Sequence, residues 1–186
     1  GAFWGAIPAF FRTRFNANEI LTSLMLSYIA VLFLSYLVHG PWRDPGGFNF
    51  PESQLFSDYA MLPVLVENSR LNLGSVFAIL AVLLGWVLIS RSIIGFQLRV
   101  IGLAPAAAHY AGFKHSGLVW LSFTISGGLA GLAGIAEVSG PIGQLLPSVS
   151  PGYGFTAIIV AFLGRLHPVG VLCAGLVMAL SYIGGE

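Results

Sequence analysis

The sequence predicts an all-α fold, a polytopic bundle of transmembrane helices, from three observations. Hydrophobic residues make up 56% of the 186 residues and charged residues 8%, against about 25% charged in soluble domains. The mean hydropathy is +0.87. The few charges are also clustered, and residues 71–90 and 116–136 contain none. Each of these stretches, about 20 residues at roughly 1.5 Å per residue, matches the roughly 30 Å hydrocarbon layer of a bilayer. The soluble alternative, two core helices buried on every side, would leave too little polar surface to cover that core.

The elements follow in order. The chain starts at Gly1 and stops at Glu186 just after an apolar run, so it reads as an internal stretch of a longer protein, with residues 1–11 the tail of a helix. Asn16-Ala17-Asn18-Glu19 offers a capping-box variant, an N-cap with an acid three residues on, and the first span then covers residues 18–39. His39-Gly40-Pro41 ends it, because proline removes a donor and restricts the residue before it. Residues 41–69, rich in Pro, Gly, Asn and aromatics, form an outer loop with one base (Arg43) against four acids (Asp44, Glu52, Asp58, Glu67). A short helix is expected there near residues 54–65. The second span covers 71–90. In the segment 91–115 Arg91, Arg99 and Lys114 face no acid, and Pro105 and Gly112 fit the first position and the C-terminal stop of a short helix. The third span, 116–136, ends near Glu137. Pro141, Pro147 and Pro151 then forbid one continuous helix. Residues 154–164 and 169–183 form a broken pair around Arg165-Leu166-His167-Pro168; such a break is tolerated at membrane depth only where protein or a wet cavity satisfies the freed backbone. The first member is roughly 16 Å as helix, and both crossing and turning back are open to it.

The basic residues set the orientation. Arg12 and Arg14 precede the first span, and Arg91, Arg99 and Lys114 follow the second. All five fall on one side if the first two spans run out and back, and the positive-inside rule makes that side cytoplasmic. The acidic loop 41–69 is then extracytoplasmic.

No element of catalysis stands out. There is no Gly-Lys-Ser or Gly-Lys-Thr phosphate loop, no His-Glu-x-x-His and no Cys/His pairing, so neither a nucleotide site nor a metal site is expected. Cys173 reads as a small packing residue. The bases form no dense run and suggest no nucleic acid. The third span carries a small-residue face: Ser122, Ser126, Ala130 and Gly134 recur every four residues, beside Gly127 and Gly131. Such a face lets helix backbones approach in lipid, and it could equally line a passage. The first span carries a polar stripe of Glu19, Ser23 and Ser27, with Thr22 and Tyr28 close by. It serves either as a cap with helix-to-helix hydrogen bonds or as a substrate contact. The short helix over residues 106–111 is a surface on which another protein could dock.

Several stretches together resemble one family. Asn18-Glu19-Ile20-Leu21-Thr22-Ser23-Leu24-Met25-Leu26-Ser27-Tyr28-Ile29-Ala30 is similar to the first-span motif of nucleoside and simple-sugar permeases of ABC importers, with Ser27 in place of the usual Asn. Tyr36 to Pro45, Gly95-Phe96-Gln97-Leu98-Arg99-Val100-Ile101-Gly102, Ala107 to Gly112, Gly152 to Ile158 and Leu163 to Gly170 match later parts of the pattern in order. The resemblance implies a permease subunit of the branched-chain amino acid, ribose and nucleoside branch, multi-pass in a bacterial cytoplasmic membrane. It implies a second permease subunit, separate ATPase subunits that bind the ATP and Mg, an extracytoplasmic substrate-binding protein, and no cofactor of the chain's own. Arg99, Gly102, Pro105, Ala107, Ala108, Tyr110 and Gly112 would then belong to the ATPase-coupling segment. Leu103, Ala104 and Ala106 replace positions commonly polar there. Glu19, Thr22, Ser23, Ser27, Tyr28 and Phe155 would lie along the substrate pathway. A gradient-driven secondary transporter also uses broken helices near the midplane, but it needs a coupling-ion site, and no carboxylate within a span offers one. A purely structural membrane subunit is the third reading.

Overall fold

The computed structural model describes residues 1–47, 50–63, 72–150 and 152–185. Glu67, the end of the short helix expected near 54–65 and the first residue of the second span lie outside the described residues, as does Pro151. The chain is helical: α1 (Ala2–Phe15), α2 (Glu19–His39), α3 (Leu73–Arg91), α4 (Ile93–Leu103), α5 (Pro105–Tyr110), α6 (His115–Glu137), α7 (Tyr153–Leu163) and α8 (Pro168–Ile183). Three helices among the described residues are long and apolar enough to cross a membrane: α2, α3, and α6 with its extension to Ile142. Leu32, Leu84, Phe162 and Leu180 are 68–71% exposed, an outward apolar surface suited to lipid and not to water.

The chain divides into two compact units, and the boundary falls within α3. In the first unit α1 runs antiparallel to α6. A Cβ built on Gly131 would stand 3.0 Å from the Cα of Gly1, and one built on Gly127 would stand 3.0 Å from the Cα of Gly5. Further along, the Trp120 indole N–H donates to the Thr13 hydroxyl at 3.1 Å. Phe10, Phe11 and Phe15 cluster at the end of α1 with ring centroids 5.9 Å apart. The turn into α2 differs from the sequence expectation by two residues. Asn16 is the left-handed stop of α1, at φ 51°. Asn18 is the N-cap of α2, its side chain accepting from the N–H groups of Ile20 and Leu21 at 3.0 and 3.4 Å. Both Asn residues suit their places, since Asn tolerates the left-handed region and caps helices well.

At the far end of α6 the helix does not stop at Glu137. It widens into a π-helical turn, Val138–Ile142, that contains Pro141 and closes at Gly143 with φ +74°. A π turn absorbs a proline that an α-helix interior would not accommodate. The outer loop pairs with this extension. The Ser53 N–H donates to the Leu145 carbonyl at 3.0 Å, and the Leu145 N–H donates back to the Ser53 hydroxyl at 2.8 Å. The N–H groups of Phe56 and Leu62 reach the carbonyls of Gly143 and Ser139, and Gln144 donates to Glu52 at 3.1 Å. Within residues 54–63 the only helical piece is one 3-10 turn, Asp58–Ala60. The N–H groups of Phe56 and Leu62 are thereby taken by the π-turn segment, which interrupts the ladder of a helix over 54–63.

The second unit holds the remainder of α3 with α4, α5, α7 and α8. Residues 93–103, read from sequence as part of the cytoplasmic segment 91–115 with no helix assigned to them, form a helix of their own. Ser92 makes the elbow: its hydroxyl donates to the Leu88 carbonyl at 2.5 Å and accepts from the Gly95 N–H at 3.0 Å. A Cβ on Gly95 would fall on the backbone of Leu88 and Ile89, so only glycine permits the bend. After residues 154–164 the chain reverses, and α7 and α8 pack as a hairpin around Gly164 and Gly170, whose backbones touch. The Leu166 N–H reaches the Ala161 carbonyl and the Arg165 N–H reaches that of Phe162, both at 2.9 Å. This is the six-to-one and five-to-two pattern that closes a helix with a left-handed residue, here Arg165 at φ 55° followed by Leu166 at φ 57°.

The elbow generates a prediction. Gly95→Ala should lower the unfolding temperature in detergent, because its overlap with α3 outweighs the roughly 1 kcal/mol that alanine adds to a helix. Gly85→Ala, where nothing lies within 4 Å, should leave it unchanged or raise it.

Candidate functional site

The antiparallel α1–α6 pair and α2 border an open cavity of about 560 Å³ in the first unit. Trp4 and Pro8 of α1, Ser23 and Ser27 of α2, and Phe123 and Ser126 of α6 line it. Gly127, Ala130 and Gly131 form its floor beside Gly1 and Gly5. Two groups singled out separately in the sequence, the α2 serines and the α6 small face, therefore meet on one space.

The polar character of the cavity follows from helix geometry. The Ser23 hydroxyl donates to the Ile20 carbonyl at 3.0 Å, and the Ser27 hydroxyl donates to the Ser23 carbonyl at 2.9 Å. With their protons turned onto the helix, both oxygens face outward as acceptors. Pro8 has no N–H, so the carbonyl of Trp4 lacks its i+4 donor. The lining thus combines two aromatic faces with hydroxyl acceptors and no charged side chain. That set suits an uncharged solute carrying O–H or N–H donors.

The other expected pathway residues stand elsewhere. Glu19 pairs with Arg12, Nε to Oε2 at 3.3 Å, across the α1–α2 turn. The Thr22 hydroxyl donates to the Asn18 carbonyl at 2.8 Å, while Tyr28 is 66% exposed. Phe155 lies on α7 in the second unit and is exposed. On α6, Ser122 donates to the Leu118 carbonyl at 2.9 Å, and around Gly134 the space is open. The small face is therefore not uniform: Gly127 and Gly131 meet another backbone and Gly134 does not.

Trp4, Pro8 and Phe123 were not singled out from sequence. A signal for the α1 side existed, since Gly1 and Gly5 repeat the four-residue spacing of Gly127 and Gly131.

The segment 91–115 places its candidates unevenly. The Arg99 guanidinium donates to the Ile89 carbonyl at 2.5 Å, which commits it to the end of α3, where a cation complements the helix dipole. Pro105 occupies the first turn of α5, Ala107 accepts the Ala111 N–H at 2.9 Å, and Gly112 takes φ +74°. Gly102 has open space around it. Ala108 is buried, at 2% exposure, so its methyl packs inward and cannot present a surface. Among the outward side chains of residues 102–112, Leu103 and Tyr110, at 86% and 93% exposure, are the large hydrophobic ones.

The family described as "Branched-chain amino acid transport system / permease component" matches the chain over residues 1–186. The chain is 40% identical to a glucose ABC transporter permease protein of Haloferax volcanii, with 100% of this chain and 51% of that protein covered. It is 34% identical to a guanosine ABC transporter permease protein of Bacillus subtilis, covering 99% and 53%. It is 31% identical to a nucleoside ABC transporter permease protein of Lactococcus lactis subsp. cremoris, again covering 99% and 53%. The chain thus spans about half the length of the curated relatives it matches. No solved structure matches it.

The uneven small face can be tested directly. Gly127→Leu should push α1 from α6 and lower stability in detergent by roughly 1–3 kcal/mol, the usual cost of overpacking. Gly134→Leu, facing open space, should cost less than a third of that. Equal losses at both positions would show that the contact with α1 is not what the glycine serves.

Proposed function

The chain belongs to the permease components of branched-chain amino acid transport systems, and on that premise we propose that it lines the translocation path of an ABC importer for a nucleoside or a simple sugar. It is a multi-pass plasma-membrane protein. The observation that carries the reading is the family match along all 186 residues, joined by relatives named for glucose, guanosine and nucleoside transport.

The cavity between α1, α2 and α6 supports the choice of solute. Its aromatic faces and serine acceptors offer stacking and hydrogen bonds to a neutral, hydroxyl-rich molecule. They offer no counter-charge for the ammonium and carboxylate of an amino acid, which would enter at a cost of several kcal/mol. In this reading the chain hydrolyses no ATP and holds no cofactor. Separate ATPase subunits bind ATP and Mg on the cytoplasmic side, a second permease subunit, homologous or identical, completes the path, and an extracytoplasmic binding protein delivers the solute. Arg99 acts within the chain by holding the α3–α4 elbow, and Tyr110 of α5 meets the ATPase together with Leu103 at the end of α4.

Two outcomes test this. The complete transporter, reconstituted with its ATPase and binding protein, should hydrolyse ATP faster when the binding protein is loaded, and uptake should be competed by nucleosides or simple sugars and not by leucine. Competition by leucine alone would refute the solute assignment. Tyr110→Glu should reduce coupled uptake on the order of ten-fold while the binding protein keeps its affinity for the solute. Unchanged uptake would remove α5 from the contact. Ala108→Glu is a poorer probe, because a buried carboxylate there would disturb folding first.

A further inference from the structure

The antiparallel register of α1 and α6 brings the C-terminal turn of one against the N-terminal turn of the other, and a second cavity of about 260 Å³ opens between them. Arg12, Arg14, Asn16, His115 and Ser116 line it. Arg12 is already engaged by Glu19 at 3.3 Å and by the Ala17 carbonyl at 3.4 Å. Arg14 has no ion pair among the described residues. At about 30 Å³ per water, the space exceeds what a few waters fill.

The charges around this cleft conflict with the helix they adjoin. Positive residues are unfavourable at a helix N-terminus and acids are favourable there. Yet α6 begins with Lys114 as N-cap and His115 as its first residue, makes no side-chain cap bond, and carries no acid in its first turn. Arg14, His115 and the first-turn N–H groups of α6 meet at this cleft, Lys114 adjoins it in the chain, and the one carboxylate nearby, Glu19, is taken by Arg12. Arg12 and Arg14 alone have a simple explanation, since they complement the C-terminus of α1. Lys114 has no such complement on α6; the positive-inside rule accounts for its side of the membrane, and an anion in the cleft would relieve its conflict with the dipole.

We propose that this cleft binds the phosphate of an anionic phospholipid from the cytoplasmic leaflet. The inference rests on the orientation read from the basic residues, which puts the cleft at the level of the inner headgroups. Basic pockets between transmembrane helices on that side are suited to anionic headgroups. The exposed apolar Phe10 and Phe15 beside Arg14 give the acyl chains a surface to follow. Phosphate oxygens accept from Arg14 and from the free N–H groups of the first α6 turn, which cancels the charge conflict at the start of that helix.

Native mass spectrometry of the complete permease complex in detergent tests the proposal, with phosphatidylglycerol and phosphatidylcholine of equal acyl length as probes. Phosphatidylglycerol should be retained preferentially, and Arg14→Gln with Lys114→Gln should erase that preference, by roughly five-fold per cation removed. Arg14→Lys should keep most of it, which separates lost charge from lost folding; if the double variant does not fold, Arg14→Gln alone should still lower the ratio. No preference in the wild-type protein, or an equal preference in the variants, overturns the site. Displacement of the lipid by millimolar inorganic phosphate would make the ligand a soluble anion and overturn the lipid assignment. Loss of ATPase subunits from the variants with lipid retention unchanged would make the cleft a protein contact instead. Retention in detergent is independent of which side the cleft faces, so failure here leaves the transport reading standing.

Discussion

The close approach of two backbones, α1 through Gly1 and Gly5 and α6 through Gly127 and Gly131, is the contact on which the rest of the first unit depends. In lipid there is no hydrophobic gain from bringing two apolar helices together, so association relies on packing and interhelical hydrogen bonds. Side chains of ordinary size would hold the axes apart. Glycines at matching four-residue spacing remove that obstacle, and the Trp120–Thr13 hydrogen bond fixes the pair further along. One register then decides three places at once. It sets the serine-lined cavity beside the glycines, the basic cleft at one end, and the π turn that receives the outer loop at the other.

The same register ties sequence charge to geometry. Arg12 and Arg14 are about a hundred residues from Lys114 and His115, yet the antiparallel pair sets Arg12, Arg14 and His115 around one cleft. The acidic loop is bonded to the opposite end of α6, through Ser53, Phe56 and Leu62. Charge segregation along the chain has thus become charge segregation along the helix pair, the kind of asymmetry on which the positive-inside rule acts.

Much of this was legible in the sequence, and the rest was not for identifiable reasons. The three long helices were visible because an uncharged run of bilayer length has few other uses. The α2 start was placed correctly while its cap was assigned to Asn16, because Asn16 and Asn18 both fit capping chemistry and only the backbone distinguishes a left-handed stop from an N-cap. Helix α4 was hidden because its 11 residues carry Arg99 and fall short of a span, and its elbow depends on Gly95 meeting α3. The helix expected near residues 54–65 reflected local propensity, which over the described residues 54–63 gives way to pairing with residues 139–145. On the α6 face, the spacing announced a packing surface but could not say that Gly127 and Gly131 meet α1 while Gly134 faces open space. The turn after α7 gave no glycine signal either, since Arg165 and Leu166 occupy left-handed positions that Gly or Asn usually fill.

The central claim is that one antiparallel register puts residues 14 and 114 at the cytoplasmic face and the 41–63 loop at the other. Single cysteines at positions 14, 114 and 54, in a Cys173→Ser background, probed with a membrane-impermeant maleimide on intact cells, test it most directly. The account predicts labelling of position 54 from outside, and labelling of 14 and 114 only after the membrane is opened. Labelling of 114 from outside, or of 14 and 114 from opposite sides, would contradict it.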